Sequence, residues 1–275
     1  MKKVLWLACL SLCILTLNAQ EKALPEIANR DAFSIGETFT FLSDKLSEER
    51  IVNVYLPNGY SDNSTKEYPV IYLLDGTADE DFIHIAGLVQ FGTFPWINML
   101  PESIVIGIAN VDRKRDFTYP TNNVQDKADF PTTGGSAAFI DFLEQELQPL
   151  IQDTYRTADT TTIIGQSLGG LLATEILFKK PTLFDNYLII SPSLWWDDES
   201  LLDYSPNLSS VTGKIYVAVG KEGPTMKRVA RSLAKKLSAA KLDVHFEYFG
   251  KQDHGNILHQ AVYNAFSVLY PKEEK

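Results

Sequence analysis

Three observations predict an α/β architecture, with about eight strands in a mostly parallel sheet and helices on both faces. Short continuous apolar runs bounded by Gly, Pro or Asp recur at 70–74, 104–109, 162–165, 187–190, 215–219 and 244–249. Such runs read as strands buried on both faces. Amphipathic helical stretches alternate with them, which is the pattern of parallel strands joined by crossover helices. The first two strands, 37–43 and 50–56, alternate apolar and polar residues instead and read as a half-buried antiparallel opening that ends at Pro57-Asn58-Gly59.

The helices are expected at 81–89, 136–155, 168–179, 226–242 and 257–269. In the second of these, Phe139, Phe142, Leu143, Leu147 and Leu150 share one face, the spacing of a helix packed on a core. Residues 112–135 form a long loop-like insertion rich in Asp, Asn, Thr and Pro, and loops of that length tend to line a site or wander. The remaining length leaves little room for a lid domain.

The 275 residues are 45% hydrophobic and 22% charged, an ordinary globular composition without repeats or low-complexity tracts. The formal charge of −10 argues against a nucleic-acid partner, because phosphate binding wants a basic face. Residues 1–20 read as a secretory signal peptide: Lys2 and Lys3 start it, an apolar run spans 4–17, and Leu17-Asn18-Ala19-Gln20 offers a small-residue cleavage site. The apolar run is too short for a spanning helix. The expectation is therefore one domain over 21–275, periplasmic or secreted, with no stable membrane insertion after cleavage. Cys9 and Cys13, the two cysteines of the chain, would leave with the signal, so neither a cysteine nucleophile nor a disulfide framework is expected.

The chemistry is carried by Gly165-Gln166-Ser167-Leu168-Gly169-Gly170, which follows the apolar run at 162–165 and opens the helix at 168–179. A G-x-S-x-G turn between strand and helix is a nucleophile elbow: it presents Ser167 at a strained tip, and the Leu168 N–H points where an oxyanion would form. Of four histidines, His245 lies inside a strand pattern, His84 on an early helix and His259 in mid-helix. His254, in the loop Gln252-Asp253-His254-Gly255-Asn256 after the last strand, is left as the general base. The acid should fall between Ser167 and His254. Glu222, just beyond the strand ending at Gly220, is preferred, Asp197 is the alternative, and Asp253 is too close to His254 to orient it. The second oxyanion donor is expected from the N–H of Gly76 or Thr77, in the loop after the third strand, where Asp75 would bond loop backbone.

Two further groups are candidates for substrate contact. Trp195 and Trp196 follow the sixth strand; they form either a wall that stacks on an aromatic or sugar ring, or a loop pinned to the core. Phe91, Phe94, Pro95 and Trp96 make a similar apolar stretch. Arg113 and Arg115 could clamp a carboxylate or phenolate, unless Arg115 merely pairs with Asp116 to stiffen the loop.

The element order is that of the α/β-hydrolase fold. From about Arg50 onward the chain resembles the esterase family within that superfamily, which includes enterobactin-type siderophore esterases, feruloyl and acetyl-xylan esterases and S-formylglutathione hydrolases. The resemblance rests on Tyr72-Leu73-Leu74-Asp75-Gly76, Asp112-Arg113-Lys114-Arg115-Asp116-Phe117-Thr118, the elbow, Ser191-Pro192-Ser193-Leu194-Trp195-Trp196 and Asp253-His254-Gly255-Asn256. The second and fourth of these, through Arg115-Asp116-Phe117-Thr118 and Ser191-Pro192-Ser193-Leu194-Trp195-Trp196, are most similar to the siderophore-esterase branch. The resemblance implies Ser167 as nucleophile, His254 as base and Glu222 as acid, with Gln166 standing where many relatives carry His. The expected activity is serine carboxylic-ester hydrolysis on aromatic or siderophore-like esters, with no metal or organic cofactor. Two alternatives stay open: a feruloyl or acetyl-xylan esterase on plant polysaccharide, and a silent glycan- or siderophore-binding protein on the same fold.

Overall fold

The computed structural model describes residues 24–61 and 64–271. The signal peptide expected at 1–20, with both cysteines, lies outside the described residues. Residues 24–33 carry no helix or strand, and the compact unit starts at Ser34.

The elements in chain order are β1 (Glu37–Ser43), β2 (Glu48–Tyr55), β3 (Tyr68–Leu73), α1 (Phe82–Gly92), β4 (Ile104–Ile108), α2 (Arg113–Asp116), α3 (Val124–Asp129) and α4 (Ser136–Phe142). A π-helical stretch (Leu143–Leu147) then leads to α5 (Gln148–Thr154), β5 (Thr157–Gln166), α6 (Leu168–Lys179) and β6 (Asn186–Ile190). A 3₁₀ turn (Trp196–Glu199), α7 (Ser200–Asp203), β7 (Lys214–Gly220), α8 (Gly223–Ala239), β8 (Asp243–Phe249) and α9 (Ile257–Leu269) complete the chain. The eight strands form one sheet in the order β1-β2-β4-β3-β5-β6-β7-β8. The β1/β2 and β2/β4 pairs are antiparallel and all later pairs are parallel, the expected α/β-hydrolase fold.

The period-two geometry of the strands splits the core between the two faces. Val70, Tyr72, Ile163, Ile189 and Val217 point to the side covered by α4, α5, α6 and α8. Ile71, Leu73, Ile164, Leu188 and Ala218 point to the side covered by α1 and α9. Burial on both sides is why the central strands are continuously apolar. β8 departs from this: as an edge strand it alternates exposed and half-buried positions, because no further strand flanks it.

The expected helix at 136–155 is interrupted at its middle. Phe139, Phe142, Leu143 and Leu147 do share the buried face, but the π-helical turn advances the phase, so Ile151 rather than Leu150 continues it. The insertion at 112–135 is not a structureless loop. Asp112 accepts a hydrogen bond from the Arg115 N–H and Asn123 accepts from Gln125 and Asp126, capping α2 and α3 in turn. Among the described residues, no helix is long and apolar enough to cross a membrane.

Candidate active site

Parallel strands put the carboxyl ends of β3, β5, β6, β7 and β8 along one edge of the sheet, and the loops that follow them converge there. In open α/β sheets this edge is where ligands bind. A cavity of about 380 Å³ lies on it, lined by Ser167, Ser193, Trp195, Lys221, Glu222, Met226, Asp253 and His254. A larger hollow of about 880 Å³ lies between residues 95–101 and Leu269, Tyr270 and Pro271. It holds no base beside a nucleophile and is set aside.

Ser167 sits between β5 and α6 with φ 61° and ψ −117°, a strained conformation for a residue with a side chain. The turn is tight enough that a Cβ on Gly165 would lie 2.3 Å from the Gly169 carbonyl oxygen, so glycine is required at 165, whereas a Cβ on Gly169 would only touch Leu74 and Asp75 at 3.4–3.5 Å. The Ser167 N–H donates to Ile190 O at 3.0 Å, tying the turn to β6. Its Oγ lies 3.3 Å from the Ser193 Oγ.

His254 is half exposed, and its Nδ1 is 2.6 Å from the Glu222 Oε2, while the Glu222 side chain is only 5% exposed. The other Glu222 oxygen accepts from the Ser191 hydroxyl and from the Gly220 N–H at 3.0 Å. Burial works against ionising this carboxyl. The hydrogen bonds from His254 and Ser191, the charge on His254 and the Gly220 N–H outweigh it and hold the group below the usual carboxylate range. Gln166 Nε2 donates to the His254 carbonyl at 2.5 Å, joining the elbow to the histidine loop.

Asp197, the alternative acid, is spent elsewhere. It accepts from Thr121 Oγ1 (3.0 Å), the Asn122 N–H (2.6 Å) and Ser200 Oγ (2.7 Å), and so anchors the 112–135 insertion. Asp253 caps its own loop by accepting the Gly255 N–H at 3.0 Å. The other histidines lie away from the cavity: His245 stacks on Tyr216 at 5.3 Å, and His84 stacks on His259 at 3.6 Å.

Five sequence-based expectations need correction. The Gly76 N–H donates to Ile108 O at 2.9 Å and is not free for an oxyanion. Gly76 is required for a different reason: a Cβ there would lie 2.4 Å from the Gly107 Cα, so glycine lets the loop lie against β4. Trp196 is wholly buried and donates from Nε1 to Tyr119 O at 3.0 Å, a core anchor rather than a substrate contact. Only Trp195 of the pair lines the cavity. Arg113 is committed to Asp75, with Nε to Oδ1 at 2.6 Å and Nη2 to Oδ2 at 2.8 Å, and it also reaches Gln166 O at 3.3 Å. Asp75 therefore binds a guanidinium, and Asn110 at 2.7 Å, rather than loop backbone with its side chain. Arg115 is held by both oxygens of Glu48 and by Asp116, which stiffens the insertion as the alternative reading had it.

Ser191, Ser193, Lys221 and Met226 were not singled out from sequence. The serines lie inside a motif whose conspicuous residues are tryptophans, and Lys221 and Met226 flank Glu222 with no pattern of their own.

The chain is similar to known esterases in sequence and in fold. Residues 43–259 match the family model described as "Putative esterase". The chain is 30% identical over 197 residues to the ferri-bacillibactin esterase BesA of Bacillus subtilis (strain 168), covering 67% of this chain and 68% of that one. It is 30% identical over 173 residues to a siderophore triacetylfusarinine C esterase of Aspergillus fumigatus, covering 59% of this chain and 57% of that one. Among solved structures it superposes with a TM-score of 0.75 on an IroE-like serine hydrolase from Shewanella oneidensis, at 29% identity, over 86% of this chain and 80% of that one. A matching model over most of the chain and a matching sheet leave one assignment: the chain belongs to this esterase family, and it is a carboxylic-ester hydrolase.

Proposed function

We propose that the protein hydrolyses siderophore-like or other aromatic esters through a Ser167–His254–Glu222 triad. The observation that carries the reading is the 2.6 Å contact between His254 Nδ1 and the buried Glu222 carboxylate, on the rim of the cavity that also holds Ser167. With Nδ1–H donated to Glu222, the imidazole keeps its Nε2 lone pair for the serine proton. Ser167 Oγ adds to the ester carbonyl, its proton passes to His254 Nε2, and the N–H groups of Leu168 and Thr77 hold the oxyanion. His254 protonates the departing alkoxide. A water then repeats the sequence on the acyl-enzyme. Each oxyanion donor is worth roughly a hundred- to thousandfold in rate.

Substrate class is supported by Trp195, whose half-buried indole lines the cavity beside Met226, and by the names of the relatives, which are esterases of iron chelators. The expected signal peptide makes export part of the same reading. Turnover of p-nitrophenyl acetate should be lost in Ser167→Ala. It should fall by orders of magnitude in Glu222→Gln and far less in Asp197→Asn; the reverse order would transfer the acid's role. A panel of a catecholate trilactone, methyl ferulate and acetylated xylan tests the substrate. Turnover of acetylated xylan alone would overturn the siderophore-like class.

A further inference from the structure

The turn after β6 touches both ends of the proposed triad. Ser191, fully buried with φ 43°, donates its hydroxyl to Glu222, and its N–H donates to Ala218 O at 2.7 Å. Two residues on, Ser193 is 3% exposed; its N–H donates to Ser167 O at 3.0 Å and its Oγ lies 3.3 Å from the Ser167 Oγ. Pro192 fixes φ between them and keeps the two hydroxyls on a rigid turn. The Ser191 hydroxyl is engaged by a carboxylate. The Ser193 hydroxyl faces the cavity, and the nucleophile's oxygen is its side-chain partner.

We propose that Ser193 is a further catalytic residue, donating a hydrogen bond to Ser167 Oγ whenever that oxygen carries developing charge. The inference rests on Ser167 being the nucleophile. In acylation the Ser167 proton moves to His254 Nε2 while Oγ bonds to the acyl carbon and the carbonyl pair moves onto the oxyanion. In deacylation water gives one proton to His254 Nε2 as its oxygen adds to the acyl carbon, and the C–Oγ bond then breaks. Its electron pair returns to Oγ, which takes the proton back from His254. Ser193 gains and loses no proton. It lowers the cost of charge on Oγ in both steps, most directly when Oγ is the leaving atom. A donor to a charged oxygen is the strong class of hydrogen bond.

The test compares Ser193→Ala and the nearly isosteric Ser193→Cys, a much weaker donor, by steady-state turnover of p-nitrophenyl acetate and by thermal melting. The expected result is a fall in kcat of about tenfold in both, with KM and the melting midpoint near wild type. Turnover of the alanine variant within twofold of wild type overturns the proposal. A cysteine variant that restores wild-type kcat overturns it too, because volume and not the donor would then be what matters. Ser167→Ala, run in parallel, separates the two readings: if that variant keeps its turnover, the nucleophile is wrong and the failure does not lie with Ser193.

Discussion

The backbone of Ser167, at φ 61° and ψ −117°, carries strain of about 1–3 kcal/mol that neighbouring contacts must offset. Those contacts come from β6, through the Ile190 carbonyl, and from Arg113, whose Nη2 reaches the carbonyl of the preceding residue. The same guanidinium shapes a carboxylate group nearby. Asp81, at the start of α1, has its pKa raised from 3.8 to about 6 by burial and by the charges of Asp75 and Glu80, with Arg113 pulling the other way. Since the folded value lies above the unfolded one, ionising Asp81 costs stability. The cost is absent below about pH 4, grows as pH rises and is complete above about pH 6. Solvent screening at this part-buried site leaves ~1 kcal/mol. Asp81→Asn should therefore raise the melting midpoint by about 2–4 °C at pH 8 and by nothing at pH 4. An equal gain at both pH values would show that charge is not the cause.

At the scale of elements, the loop after β3 and the 112–135 insertion each depend on a contact that a substitution can disrupt. Gly76 packs on Gly107 of β4, and Gly76→Ala would drive a methyl group to 2.4 Å from its Cα. The loop must move, carrying the Thr77 N–H with it. We expect kcat to fall about a hundredfold with a smaller change in KM; a kcat within threefold of wild type would remove Thr77 from the oxyanion site. The insertion is held by Arg50, which is fully buried, pairs with Asp116 at 2.8 Å and Glu48 at 2.9 Å, and lies over the rings of Phe139 and Phe142. Arg50→Met strands the Asp116 carboxylate in the core next to Arg115 alone. It should cost about 3–5 kcal/mol in urea unfolding, and Asp116→Leu added to it should recover most of the loss. No recovery in the double variant would mean that Arg50 acts through packing.

Across the whole molecule, several carboxylates are held below their usual range by donors that only the folded chain supplies. Glu222 accepts hydrogen bonds from His254, Ser191 and the Gly220 N–H; Asp197 from the Asn122 N–H, Ser200 and Thr121; Asp112 from the Arg115 N–H and Thr132. Burial opposes ionisation in each case and is outweighed. A lowered folded pKa gives stability that is fully present above the unfolded value and is lost as pH falls through the folded one. Melting midpoints should thus hold near pH 6 and drop steeply below about pH 4. Glu222→Gln should flatten part of that slope, and a midpoint constant from pH 6 to pH 3 would contradict the account.

The order of strands and helices, the elbow at Ser167 and the identity of His254 and Glu222 as candidates are all local properties. They follow from periodicity, from glycine spacing and from where a loop falls relative to a strand, so one chain read in order suffices to find them. Which of Trp195 and Trp196 meets the cavity, what the Gly76 N–H bonds and which carboxylates occupy Arg113 and Arg115 depend on partners as far as 77 residues away, such as Ile108 for Gly76, Asp75 for Arg113, Glu48 for Arg115 and Tyr119 for Trp196. Those choices were made by tertiary packing, because a hydrogen-bonding group is spent by whichever partner the fold brings to it.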